Sequence, residues 1–391
     1  MRSVLSSPWW FVLLCTLALG WTLLQATPYP LDDHFLYQRF IETLAAGKLD
    51  LTIAGFHGSD IPATLWHLMF PAAHSQIFFQ IFCAILLPAA AFLAGRALWK
   101  STDAGILLCA VITLMPFLSF VGLRGWTGPA YALLLLLTVY GAATHRFWTG
   151  ITFGLAMLTK PFAIAFLPLL ILLRPKNGSA LKKWHPVLIG LLLVLLYMVV
   201  QYLQAGRLIA GSHELLSEQN VWQGPLRILL NLGHALQILF SVHNYYFIDP
   251  ALTGPGNMMH TTPILIFLGI FGALGLTSTS TRRLHLVLLF GALIGILMNA
   301  LLDHMDHFYM QASVILLIFA ALPVLLRFPL WMPLVIATLH FQWFYFYLNY
   351  REGFALGNWF FLTPLLLDML ALIWCVMHWR HVRRVCSILL P

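Results

Sequence analysis

Charge is what this sequence has little of. Only 9% of its residues are Asp, Glu, Lys or Arg, where a soluble domain carries roughly 25%. So little polar surface cannot cover a soluble globule, and that class is excluded. Acids are the scarcest: 13 Asp and Glu stand against 21 Lys and Arg, for a net charge of +8. A basic excess is often the footprint of nucleic-acid binding. Here the Lys and Arg sit in short clusters between apolar runs, the pattern of cytoplasmic membrane-protein loops, so nucleic acid is excluded and membrane lipid is the expected surroundings. Cysteine is sparse too. Cys15, Cys83, Cys109 and Cys375 lie in apolar runs and Cys386 lies in the basic tail. No pair falls in a polar outer loop, so neither a disulfide framework nor a cysteine metal site is expected.

What the sequence has in abundance is hydrophobic residues, at 61%. Apolar segments fall near 8–25, 74–98, 104–121, 129–144, 186–203, 261–277, 284–302, 308–326, 329–348 and 359–378. A membrane helix needs about 20 such residues. Between 147 and 173 a further run, FWTGITFGLAMLTKPFAIAFLPLLILL, is interrupted at Lys160-Pro161. Proline lacks a backbone donor and pushes the preceding residue out of helical geometry, which predicts two short helices meeting at Lys160. The expected fold is therefore all-α: a polytopic membrane protein of about twelve membrane segments, 1–391 forming a single transmembrane domain with no separate soluble domain. The first segment is expected to be a retained helix rather than a cleaved signal peptide. Leu24 suits the position two before Ala26 poorly, and the run from Pro8 to Leu24 is long for a signal core.

An even number of segments puts both termini on one side. With the N-terminus in the cytoplasm, the inner loops hold Arg2, Arg96, Lys100, Arg146, Arg174, Lys176, Lys182, Lys183, Arg282, Arg283, Arg327, Arg380, Arg383 and Arg384, with Asp103 the only acid. That bias fixes the orientation, both termini cytoplasmic. Loops 26–73 and 204–260 then face outward. Each carries an amphipathic stretch expected to lie along the membrane surface. In HFLYQRFIETLAAG, Leu36, Phe40 and Leu44 share one face while Gln38, Arg39 and Glu42 point away. In PLRILLNLGHALQILFSV, Leu226, Leu229, Leu230, Leu236 and Phe240 are set against Arg227, Asn231 and His234.

Against this background a carboxylate pair after the first segment stands out, in TPYPLDDHFLYQRF. One Asp suffices to cap the following helix. Asp32 and Asp33 together, with His34 next to them, also suit a general base, a divalent-metal site or both. Lys160 is either a cation snorkelling from a helix end or an anchor for an anionic group at the helix break. In LLDHMDHFYMQ, His304 and His307 share a helical face, as do Asp303 and Asp306. That stretch reads as a polar outer turn, a metal site, or a contact to donor phosphate or acceptor. Arg124 in GLRGWTGP and Arg351 in NYREGF are solvated loop charges or planar phosphate contacts. Asp60 in GSDIPAT begins a turn or serves as a further acid.

An outward loop after the first helix, carrying paired acids and then a surface helix, resembles the GT-C superfamily of integral membrane glycosyltransferases. Within it the chain looks most like the bacterial protein-mannosyltransferase and aminoarabinose-transferase branch (family 39-like). LDDHFLYQRF, GLAMLTKPFAIAFLPLLILL and DHFYMQASVILLIFAALPVL carry the likeness. The resemblance implies inverting transfer of a sugar from a polyprenyl-phosphate carrier to a lipid, glycan or protein acceptor at the outer face of the inner membrane. A first-loop carboxylate, Asp33 or Asp32, would be the base, and His34, Arg124, Lys160, His304, His307, Arg351 and Asp60 the substrate contacts. The acids here are adjacent where relatives space them, and metal use is left open. Two other readings stand beside it: a polysaccharide polymerase or ligase using diphosphate-linked glycans, and a twelve-helix secondary transporter.

Overall fold

A computed structural model of the chain describes residues 7–25, 30, 33–53, 55–175, 179–206, 228–233, 265, 268–270, 279–301, 310–327 and 335. Every regular element among them is helical. In chain order these are α1 (Pro8–Gln25), α2 (Asp33–Ala45), α3 (Asp60–Met69), α4 (Ser75–Trp99), α5 (Thr102–Thr113), α6 (Gly128–Ala143), α7 (Thr149–Thr159), α8 (Leu167–Leu173), α9 (Ala180–Ala205), α10 (Thr279–Ala300) and α11 (Gln311–Arg327). Single turns at Pro116–Ser119, Phe120–Arg124 and Pro161–Phe166 join some of them.

Among the described residues three helices are long and apolar enough to cross a membrane: Ser75–Trp99, Lys183–Ala205 and Thr281–Ala300. Shorter apolar helices accompany them at Pro8–Leu24, Thr102–Thr113, Gly128–Ala143, Thr149–Thr159, Pro161–Leu173 and Gln311–Arg327. The segment expected near 359–378, and nearly all of those near 261–277 and 329–348, lie outside the described residues.

α4 is the central helix and α9 a peripheral one: 67% of the apolar window of α4 is buried, against 17% for α9. α4 packs on α1, α5 and α6, and α7 packs on α9. Small residues let the backbones approach, as is usual where no water drives helices together. A Cβ on Gly105 would lie 2.7 Å from the Phe92 carbonyl, and one on Gly190 2.6 Å from the Phe153 ring. The hairpin between α4 and α5 closes through Lys100 at φ 51°, and Ser101 then caps α5 by accepting from Ala104 N.

The run expected over 104–121 is not one helix. α5 stops at Thr113, because Pro116 disfavours helical geometry at Met115. The break at Lys160 is present as the sequence predicts: Lys160 is extended at φ −150° and ψ 122°, and its N–H still closes α7 on the Ala156 carbonyl at 2.9 Å. Loop 26–73 holds two helices, α2 and α3. In loop 204–260, residues 228–233 are helical, and the polar face meets protein rather than water. Asn231 is buried and donates to the Ala300 carbonyl at 3.2 Å, while Leu229 and Leu230 are exposed. In a membrane the apolar face turns to lipid and the polar one to protein.

Candidate functional site at one end of the bundle

α2 starts at Asp33, whose exposed carboxylate sits in the first turn, where the helix dipole favours an anion. Asp32 lies outside the described residues. The next residue, His34, is fully buried. Its Nε2 lies 3.2 Å from His74 Nδ1, so one ring donates and the other accepts. Burial, and then the neighbouring His74, pull the His34 pKa down to about 4, while Glu42 opposes them. The ring is therefore neutral at neutral pH.

His34 also closes the site against the turn that carries Arg124. Gly125, immediately after Arg124, has φ +79°, and a Cβ there would run into the His34 imidazole. Only glycine accommodates both the left-handed backbone and that contact. The backbone bearing Arg124 is thus brought against the first turn of α2.

Beyond His34 on the same helix a buried polar chain begins. Gln38, one helical turn on, was expected to face away and instead is buried. Its amide bonds the Ser75 hydroxyl at 3.3 Å, accepts from Gln76 N at 3.1 Å and donates to Glu42 at 2.8 Å. The first turn of α4 has free backbone donors, and Gln38 supplies an acceptor for one of them. That outweighs its solvation on the far face. His67 Nδ1 meets the Ser75 hydroxyl at 2.8 Å.

Gln76 passes the chain to Asp60, donating to Oδ1 at 3.2 Å. Asp60 is not merely a turn residue. It opens α3 with its carboxylate fully buried, and its Oδ2 lies 2.7 Å from His57 Nδ1. Burial raises its pKa, and the contacts to His57, Ser59 and Gln76 oppose that rise. His57 Nε2 faces the Ile53 carbonyl at 3.1 Å, so that nitrogen carries a hydrogen. The His57 ring stacks flat on Phe40, centroids 3.8 Å apart and 1° between planes.

The loop after His57 then docks on α7. Gly58 N donates to the Leu158 carbonyl at 3.0 Å, two residues before the break at Lys160. A Cβ on Gly58 would strike the backbone of Leu155, Leu158 and Thr159. Lys160 is half-buried, its ammonium 5.7 Å from the centre of the Tyr131 ring, within cation–π range. On the far flank, Gln204 accepts from Leu51 N and donates to the Leu49 carbonyl, both at 2.8 Å, which ties the loop to the end of α9.

Asp33, His34, Asp60, Lys160 and the backbone at Arg124 therefore belong to one end of the bundle. His304, His307 and Arg351 lie outside the described residues. Reading the sequence missed His57, His74, Gln38 and Gln76. The spacing of His57 and Asp60 in HGSD, three apart, was the available signal for that pair. Among the described residues no three His, Cys, Asp or Glu come together as a metal-holding group.

No protein-family model matches the chain, and no curated protein matches it. Among solved structures it is similar to the archaeal oligosaccharyltransferase AglB from Archaeoglobus fulgidus, determined in complex with an inhibitory peptide and a dolichol-phosphate. The identity is 12% and the TM-score 0.43, over 93% of this chain and 56% of that one. The chain thus spans little more than half the length of that protein.

Proposed function

We infer that the protein is a GT-C-type integral membrane glycosyltransferase. It transfers a sugar from a polyprenyl-phosphate carrier to an acceptor hydroxyl at the outer face of the cytoplasmic membrane, with inversion. Asp33 takes the acceptor proton, with Asp32 beside it, and the cations Lys160 and Arg124 offset the charge of the departing phosphate. The observation that carries the reading is the buried chain that starts at Gln38, one turn after His34 on α2, and runs through Gln76 and Asp60 to His57 and the loop docked beside Lys160. It couples the element bearing the first-loop acid to the helix break bearing the cation, and geometry of that kind is what an in-line displacement needs. A solvated helix cap needs no such support.

The test is sugar transfer by the purified full chain from polyprenyl-phosphate donors, with donor binding measured alongside. Asp33→Asn keeps size and hydrogen bonding but removes basicity. It abolishes transfer and leaves donor binding near wild type. Asp32→Asn is milder, since Asn also caps a helix. Near wild-type turnover in both variants would make the pair structural and remove the residue-level support for this function.

A further inference from the structure

Among the described residues several buried side chains at this end carry polar atoms with no hydrogen-bond partner, His34 Nδ1 and Gln76 Oε1 among them, and three more lie together: Gln80 with its Nε2, Gln311 with both amide atoms, and Tyr131 with its hydroxyl. All three residues are fully buried. In a membrane protein such orphans are costly, because neither water nor lipid satisfies them for free. An apolar residue would be the cheaper choice at each position. Their presence calls for a further partner, an ordered water or a ligand.

The three converge on the start of α6. Gln80 Oε1 accepts from Ala130 N at 3.0 Å, which fixes that amide with its NH2 group left over. Gln311, the first residue of α11, puts its Nε2 within 2.9 Å of where a Gly128 Cβ would sit. Tyr131 follows Gly128 by three positions and so shares its face, and helical side chains lean toward the N-terminus. Gln80 in turn lies four residues beyond Gln76 on the same face of α4, next in line along the polar chain from Asp60. The Lys160 ammonium stands over the Tyr131 ring.

The set is neutral and two-sided. Two amide NH2 groups donate, an amide oxygen accepts, and a phenol does both. That chemistry suits vicinal hydroxyls, each of which also donates and accepts, better than a phosphate, which only accepts. We propose that Gln80, Gln311 and Tyr131 form a subsite that reads the hydroxyl groups of the sugar on the lipid-linked donor. The inference rests on the glycosyltransferase reading above and adds to it where the sugar ring lies.

The experiment compares two kinds of ligand on the purified full chain in nanodiscs. One is bare polyprenyl phosphate. The other is a panel of the same lipid bearing a hexose, an N-acetylhexosamine or a pentose. Wild type binds at least one glycosylated lipid more tightly than the bare one. Tyr131→Phe and Gln311→Leu each shrink that gap by roughly three- to tenfold, the worth of one or two hydrogen bonds, and leave bare-lipid affinity unchanged. Both variants also unfold no more readily than wild type without ligand, because each removes an orphaned polar group. A gap that persists in both variants overturns the proposal, leaving a cluster that holds water only. Equal binding of bare and glycosylated lipids by wild type overturns it as well. If wild type binds no polyprenyl phosphate of either kind, the donor reading itself fails and takes this inference with it.

Discussion

Substituting Gly58 by Ala tests whether the loop between α2 and α3 is held where the polar chain requires it. The glycine's backbone is in an ordinary region, so strain in φ plays no part. The obstacle is space. An added methyl would meet Thr159 N at 2.5 Å and the Leu158 carbonyl carbon at 2.6 Å, with the Leu155 carbonyl oxygen nearer still. These are backbone atoms of α7, and no rotamer change moves them. Ordinary contact begins near 3.4 Å, so the loop must retreat by roughly an ångström. Overpacking of this kind costs about 1–3 kcal/mol. Losing the Gly58 N–Leu158 O bond adds about 1 kcal/mol. The expected loss is therefore about 2–4 kcal/mol, read as unfolding free energy by detergent titration of the purified chain. Gly20→Ala is the control, since its methyl meets only the Ile85 side chain at 3.5 Å or more. A Gly58→Ala protein within about 0.5 kcal/mol of wild type would refute the reasoning, because a surface position behaves that way.

The remaining predictions follow from the same end of the molecule. Asp60→Ala strands His57 and the Gln76 amide in a buried site and costs about 3–5 kcal/mol, while Asp60→Asn costs less because it keeps hydrogen bonds to both; thermal unfolding separates the two. His34 has its pKa lowered from 6.5 to about 4 in the fold, so its contribution is complete above pH 6.5 and is lost as pH falls toward 4. That loss amounts to at most about 3 kcal/mol, and His34→Gln flattens the acid limb of a stability–pH curve. Lys160→Ala weakens donor binding on the order of ten- to a hundredfold, the worth of a charge-assisted contact; unchanged affinity here and in Arg124→Ala would place the phosphate elsewhere. For orientation, Lys48 and Arg146 are both exposed and lie at opposite ends. An impermeant thiol reagent labels Lys48→Cys in intact cells and Arg146→Cys only after permeabilisation, against an unsubstituted control; the reverse pattern inverts the topology.

Much of the helical layout was legible because its causes are local. A run such as Ser75–Trp99 has no polar residue able to end it, and Lys160-Pro161 removes a backbone donor wherever it lies. The side-chain network was not legible, since its partners come from distant parts of the chain. Nothing near Gln38 in sequence announces that Ser75 and Gln76 need its amide, and periodicity placed it outside with Arg39 and Glu42. The same holds for Asn231, whose acceptor is the carbonyl of Ala300. Asp60 looked like a turn residue because its partner Gln76 is 16 residues away. Hydrophobic pattern sorts apolar from polar, but it does not say whether a polar face meets water or another polar face.

α9 draws these ends together in a different way. Leu188, Leu192, Leu195, Leu196, Val199 and Leu203 are exposed along it, yet its last turn is hydrogen-bonded to the loop at 49–51 through Gln204. Its 26 residues make a rod about 39 Å long, longer than a hydrocarbon layer of about 30 Å. Such a rod meets a thinner bilayer by leaning. Because its tip is fastened to residues 49–51, a change in bilayer thickness that tilted the rod against the bundle would pull on the chain just ahead of His57 and Asp60.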